Sequence, residues 1–228
     1  MSTVVCVIPA LNAGASVGAV IDGLRTALPD AAIVGIDDGS TDGTARVLEA
    51  RCDRSESFGL NKGKGAALRA GFRLAVALGA TEVLAIDADG QHDPASAPAL
   101  VAALDTADVA VGIRSRAGTR MPLQRRLSNA LSSAAISAVA GRALPDTQCG
   151  YRAFRRAVID VVNADGDRYE FETDFLIRAA RAGFTIVGVP IATLYPPAGT
   201  GTLSHFQGCR DTARVVATIL RHRARTAR

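Results

Sequence analysis

The 228-residue sequence has no tryptophan and few aromatic residues of any kind, 4% of the chain. Base stacking on aromatic platforms underlies much single-strand nucleic-acid binding, so this composition speaks against a nucleic-acid partner. Lysine is nearly as scarce: Lys62 and Lys64 are the only two among 26 Lys and Arg residues. Their position in Asn61-Lys62-Gly63-Lys64-Gly65 reads either as coincidence or as a place where a compact ammonium is wanted. The four cysteines, Cys6, Cys52, Cys149 and Cys209, form no C-x-x-C pair, which points to a reduced, cytoplasmic chain rather than a zinc or redox site. No apolar run reaches the roughly 18 residues of a membrane span. The first residues lead straight into Val4-Val5-Cys6-Val7-Ile8 without the charged start and cleavage site of a signal peptide. The expectation is a protein that is soluble or peripheral to a membrane.

What the chain does have is apolar bulk, 48% of residues, at a length that suits one α/β domain over 1–228. Short apolar runs at 4–8, 32–36, 82–86 and 108–111 alternate with helical periodicity at 17–28, 44–51, 66–78 and 95–104. That alternation predicts a mainly parallel sheet with helices on both faces. From 113 to 143 the pattern changes, with six arginines and no acidic residue. A helix is expected from about residue 122, and an anionic partner beside it. A strand at 151–154, a short helix, a helix at 172–182 and a strand at 185–189 complete the reading, with no linker and no internal repeat. From 208 to 225 the chain reads as a basic amphipathic helix, which could lie on an anionic membrane or pack on the domain.

Three motifs fall at predicted strand ends, where open α/β sheets bind ligands. Ile8-Pro9-Ala10-Leu11-Asn12 follows the first strand, and Asp37-Asp38-Gly39-Ser40-Thr41-Asp42-Gly43-Thr44 follows the second. The latter also reads as an ordinary turn with Asp42 or Ser40 capping a helix. Asp87-Ala88-Asp89-Gly90-Gln91-His92-Asp93-Pro94 ends a strongly apolar strand. Two carboxylates at such a place call for a cation, and hard oxygen ligands favour Mg²⁺ or Mn²⁺. The competing reading, a solvated turn with Asp93 as helix cap, accounts for Asp93 but not for Asp87.

Together with Asn61-Lys62-Gly63-Lys64-Gly65-Ala66-Ala67-Leu68-Arg69-Ala70-Gly71-Phe72 and Asp146-Thr147-Gln148-Cys149-Gly150-Tyr151-Arg152, these motifs occur in an order that resembles the family 2 glycosyltransferases of GT-A fold. Within them the chain looks most like the dolichyl- and polyprenyl-phosphate mannosyl- or glucosyltransferases, over nearly its whole length. The resemblance implies an inverting, metal-dependent transfer of a hexose from a GDP- or UDP-sugar to polyprenyl phosphate. It places Pro9, Asn12, Asp37, Asp38 and Lys64 around the nucleotide, and Asp87, Asp89 and Gln91 at the metal and diphosphate. It puts Arg114, Arg125, Arg126 and Asn129 at the acceptor phosphate, which planar guanidinium groups grip well. Asp146, Gln148 and Glu172 are further candidates beside the donor sugar or acceptor, with Asp89, Arg114, Arg125 and Glu172 closest to the chemistry. Ala13 stands where relatives often carry Glu, which leaves the base unassigned. A peripheral position at the inner face of the membrane, with or without an anchoring partner protein, follows from a lipid acceptor. Two other readings stay open: a hydroxyl acceptor with Glu172 or Asp174 as base, and a non-catalytic binding module on the same fold.

Overall fold

The protein was analysed as a computed structural model, which describes residues 2–114, 123–192, 194 and 208–226, with the side chains of 123–131, 208–211 and 225–226 outside the described set. Seven strands form one sheet in the order β3-β2-β1-β4-β6-β5-β7. They are β1 (Val4–Ala10), β2 (Ala32–Asp37), β3 (Arg54–Ser57), β4 (Glu82–Ala85), β5 (Val109–Arg114), β6 (Arg152–Arg155) and β7 (Ile186–Ile191). All neighbours pair in parallel except β6, which runs antiparallel between β4 and β5. The central strands are buried on both faces, as their unbroken apolar runs require.

Eight helices accompany the sheet among the described residues: α1 (Val17–Ala27), α2 (Thr44–Arg51), α3 (Lys64–Ala77), α4 (Ala97–Ala102), α5 (Leu123–Ala140), α6 (Arg156–Val161), α7 (Glu170–Arg181) and α8 (Gly208–Thr226). Two glycines show that both faces are covered. A Cβ on Gly35 would lie 2.7 Å from Leu48 of α2, whereas one on Gly71 of α3 would lie 2.2 Å from Val7 and 3.5 Å from Ile36. Gly35 and Ile36 are successive strand residues and so point to opposite faces, which puts α2 on one face and α3 on the other. The expected helix at 95–104 is shortened to α4 and flanked by 3₁₀ turns at Pro94–Ser96 and Ala103–Asp105.

Strand β3 was not anticipated. Its sequence, Arg-Ser-Glu-Ser, has no apolar residue, and it lies at the sheet edge with mostly exposed side chains. It is held by main-chain pairing to β2 and by Ser57 Oγ, which donates to Asp37 Oδ2 at 2.6 Å.

Helix α8 packs against α5 and α7. Val215, Thr218 and His222 turn inward, and Val216 and Leu220 remain 47% and 57% exposed. The inward face is anchored by Asp174 of α7, which is 1% exposed. Its Oδ1 meets His222 Nε2 at 2.6 Å, and its Oδ2 accepts from Arg178 Nε at 2.5 Å and from the Asp165 amide at 2.7 Å. With both oxygens engaged away from solvent, Asp174 is not placed to act as the general base considered from sequence. Its role is to fasten α8 to the domain. Removing one partner from a buried ionic cluster typically costs about 3–5 kcal/mol. Asp174→Ala is therefore expected to lower the urea midpoint by an equivalent amount without changing the m-value. A loss below about 1 kcal/mol, the size of an exposed ion pair, would count against this anchoring role.

Candidate active site

Strands β1, β2 and β4 deliver their outgoing loops to one end of the sheet. On the β2 side, Asp37 and Asp38 are buried, at 2% and 3% exposure. Asp37 accepts from the Ser40 amide at 3.1 Å as well as from Ser57. Asp38 accepts from the amides of Lys62 at 2.7 Å and Gly63 at 2.9 Å. Burial pushes the Asp38 carboxyl up, while the Gly63 and Lys62 amides pull it back in part. Asn12, in the left-handed region at φ 47°, accepts from the Thr41 amide at 2.9 Å, and its own amide donates to Ser40 Oγ at 2.8 Å. Pro9 lies within β1, in register with Ile36. The predicted nucleotide-side residues thus come together, and Asn12, Asp37 and Asp38 fix the shape of loops 38–43 and 61–63.

Of the two capping expectations, the one for Asp93 holds, whereas α2 has Gly43 at its N-cap with no side-chain cap, and Asp42 lies one residue before it. Asp42 accepts from the Thr44 amide at 2.9 Å at the start of α2, and from the Gly14 amide at 3.0 Å. Asp93 accepts from the Ala95 amide at 2.9 Å. Ala13, the position that departs from the family pattern, donates its amide to Thr44 Oγ1 at 2.8 Å.

The acidic loop after β4 is organised around an ammonium group. Lys64, the first residue of α3, places Nζ 2.6 Å from Asp87 Oδ1 and 3.0 Å from Glu172 Oε2 on α7. Burial works against the ammonium, but the Asp87 and Glu172 carboxylates outweigh it and hold the Lys64 proton well above the usual range. Burial likewise raises Asp87, and Lys64, with help from His92, more than reverses this, leaving its carboxyl low. Asp89 behaves oppositely: burial and then the Asp87 charge push it up, although its Oδ1 accepts from the Gln91 amide at 2.9 Å. One acid of the pair is paired with Lys64, and among the described residues the other has no comparable cation.

A hard divalent ion fits this donor set. Asp87, Asp89 and Gln91 offer oxygen from a single loop, and Asp89 is the carboxylate whose charge is least compensated. Among the described residues no three His, Cys, Asp or Glu side chains gather into a complete cage. An ion held here would rest on one or two carboxylates, with water and substrate phosphate completing its shell.

Because β6 runs antiparallel, the segment entering it, 146–151, arrives at the same end of the sheet as the outgoing loops of β4 and β5. Asp146 takes a two-pronged contact from Arg114, the last residue of β5, at 2.7 Å from Nε and 2.9 Å from Nη2. Gly150 presses on the ion pair: a Cβ there would sit 2.6 Å from Asp87 Oδ2 and 2.7 Å from Lys64 Nζ. Arg152, 2% exposed, donates to the carbonyls of Cys149 at 2.8 Å, Thr147 at 2.9 Å and Glu172 at 3.0 Å. It clamps the 146–151 turn to the start of α7. The Gln148 amide donates to Asp146 Oδ1 at 3.3 Å. Arg125, Arg126 and Asn129 lie on α5, but their side chains fall outside the described set.

His92 and Arg152 lie within the sequence motifs but carried no expected role there. His92 is buried, its ring packs on Tyr151 at 5.5 Å between centroids, and its Nε2 faces Asp87 Oδ2 at 4.0 Å. Burial holds the imidazole below its ordinary pKa against the pull of Asp87 and Asp89. The signal that could have found Arg152 is a guanidinium in the strand Arg-Ala-Phe-Arg, where a buried position demands several carbonyl partners.

Comparison with known proteins identifies the family and the fold. The model of "Glycosyl transferase family 2" matches residues 5–162. The undecaprenyl-phosphate mannosyltransferase of Micrococcus luteus is 33% identical over 214 residues, covering 88% of this chain and 87% of that one. The polyprenol monophosphomannose synthase of Mycolicibacterium smegmatis is 31% identical over 211 residues, covering 87% and 80%. Among solved structures, glucosyl-3-phosphoglycerate synthase from Mycobacterium tuberculosis in complex with Mg²⁺ and uridine-diphosphate superposes with a TM-score of 0.74 at 25% identity, over 97% of this chain and 79% of that one. The same enzyme with Mn²⁺ and uridine-diphosphate-glucose gives 0.72 at 22% identity, a likeness of fold. The sheet order with its single reversed strand is the GT-A arrangement, and with the family match across most of its length the chain belongs to glycosyl transferase family 2.

Proposed function

We propose that this glycosyltransferase moves a hexose, mannose or glucose, from a GDP- or UDP-sugar to polyprenyl phosphate, with inversion and with Mg²⁺ or Mn²⁺. The observation that carries the reading is the meeting, around segment 146–151, of an acidic loop at the end of β4 with Arg114 at the end of β5. One end of the sheet thereby offers oxygen ligands for a metal–diphosphate and a guanidinium for a phosphate acceptor. The two named relatives, both polyprenyl-phosphate or polyprenol-phosphate mannose enzymes, support the acceptor class.

In this reading loops 9–12, 37–43 and 61–63 receive the nucleoside, shaped by Asn12, Asp37 and Asp38. Asp89, with Asp87 and Gln91, holds the metal, which when bound offsets charge on the departing diphosphate. A phosphate oxygen of the acceptor forms the new bond to the anomeric carbon as the bond to the nucleoside diphosphate breaks, which inverts that centre. The acceptor is already ionised near neutral pH, so no side chain has to remove a proton, and positioning carries the rate. Arg114, oriented by Asp146, contacts the acceptor phosphate, with Arg125, Arg126 and Asn129 of α5 expected beside it. Glu172 holds Lys64 rather than acting as base.

The assay is transfer of radiolabelled sugar from GDP-mannose or UDP-glucose into organic-extractable polyprenyl phosphate. Asp89→Asn is expected to lower kcat/KM at least ~100-fold. Arg114→Ala is expected to raise the acceptor KM by about tenfold or more, the worth of a charge-assisted contact. An unchanged acceptor KM in Arg114→Ala would remove the arginine from the acceptor site, and transfer to a hydroxyl acceptor instead would favour a base-dependent reaction at Glu172.

Among the described residues no helix is long and apolar enough to cross a membrane. For a lipid acceptor, the outward face of α8 supplies a surface: Val216 and Leu220 lie exposed one turn apart, with exposed Arg214, Arg221 and Arg223 nearby. That pattern suits an anionic bilayer at the cytoplasmic face, with or without an anchoring partner. In vesicle sedimentation, Val216→Ser with Leu220→Ser is expected to weaken binding to phosphatidylglycerol-containing vesicles about tenfold or more, since each loses apolar area from the interface. Equal partition of wild type and double variant would rule α8 out as the membrane contact.

A further inference from the structure

We infer that Lys64 is the resident counter-cation of the acidic site and that it makes divalent-metal binding conditional on the diphosphate of the donor. This rests on the nucleotide-sugar reading above, which assigns the metal to Asp87 and Asp89 but gives the lysine no part in controlling it.

The ammonium lies between two carboxylates, 2.6 Å from Asp87 and 3.0 Å from Glu172. It is seated tightly, because the space beside it exists only for want of a Cβ on Gly150. Its position is otherwise unfavourable: Lys64 is the first residue of α3, and a cation at a helix N-terminus opposes the helix dipole. The two acids overcome that opposition. Arginine, used almost everywhere else in the chain, would bring a larger planar group into the same confined space.

A consequence follows for the metal. Asp87 cannot serve a divalent ion fully while its Oδ1 holds the ammonium, and an ion bound beside it stands a few ångströms from a like charge in a half-buried site. A diphosphate relieves this, since its oxygens can take contacts from both cations. Metal and nucleotide should therefore bind as a linked pair, each strengthening the other by the same factor.

The test measures Mn²⁺ binding from the electron paramagnetic resonance signal of the free aquo ion, with and without UDP or GDP. Wild-type protein is expected to bind Mn²⁺ at least about tenfold more tightly with one of these nucleotides than alone. Lys64→Met is expected to bind Mn²⁺ alone at least about tenfold more tightly than wild type, so that the coupling to nucleotide shrinks. Adding Asp87→Asn to Lys64→Met should abolish that gain. The inference is overturned if wild type binds Mn²⁺ alone as tightly as with UDP or GDP, a comparison that needs no variant to fold. It is also overturned if folded Lys64→Met gains nothing for Mn²⁺ alone while wild type retains Mn²⁺ with nucleotide. Failure of wild type to retain Mn²⁺ with either nucleotide would instead bring down the metal-dependent reading itself, and the inference with it.

Discussion

One ammonium group joins three parts of the chain that are remote in sequence. Lys64 opens α3, Asp87 follows β4 and Glu172 lies in the first turn of α7. The contact depends on packing beneath it: Phe72 of α3, Phe154 of β6 and Phe171 and Phe175 of α7 form one cluster, with ring centroids 5.1–6.5 Å apart. These are four of only seven phenylalanines in the chain. Each such pair contributes about 0.5–1.5 kcal/mol beyond its buried area, and its geometry sets where the helix starts meet. In a chain with few aromatics, most of its phenylalanine is concentrated where α3 and α7 pack on β6.

The reversed strand β6 does a second part of this positioning. Were it parallel, segment 146–151 would approach from the far end of the sheet, and Asp146 and Gly150 could not lie beside Arg114 and Asp87. Antiparallel entry between β4 and β5 threads that segment between the outgoing loops of both neighbours. Arg152 then fixes the turn through three carbonyls, which satisfies its buried guanidinium and leaves the carboxylates to the site. The segment thus lies against Asp87 and Lys64 through Gly150 while supplying the partner of Arg114 through Asp146.

How much of this was legible in the sequence depended on the length scale of the signal. The runs at 4–8, 32–36 and 108–111 were readable because strands buried on both faces must be apolar throughout. Strand β3 was not, because an edge strand held by main-chain bonds needs no apolar residue. Pro94 and Pro98 fall in the first turns of the N-terminal 3₁₀ flank and of α4, where the missing N–H is tolerated, a local boundary that periodicity alone overlooks. In the site, Asp87 and Asp89 announce themselves by two carboxylates at a strand end. The partnership of Lys64 with Asp87 and Glu172 does not, since neither helix carries a local mark of what its first turn will meet. The scarcity of lysine in a chain built on arginine, with both lysines in one motif, was a compositional hint of that contact. Asp174 illustrates the reverse error: an acid near a helix start looks available for chemistry, yet the α8 side of the helix had claimed it through His222.

The two sides of the site obey the same electrostatic rule. On what the proposal makes the donor side Lys64 bridges Asp87 and Glu172, and on its acceptor side Arg114 pairs with Asp146. Each pair is largely shielded from solvent, so neither charge could be left alone without a desolvation penalty. Pairing also fixes direction, because a guanidinium held through Nε and Nη2 cannot swing as a solvated side chain does. In the proposed reaction a phosphate acceptor would therefore meet an arginine whose orientation is already set, with less ordering left to pay for on binding. The stretch from 113 to 143 carries six arginines and no acid, with Asp146 the first carboxylate beyond it, and Asp146 is the residue that orients Arg114.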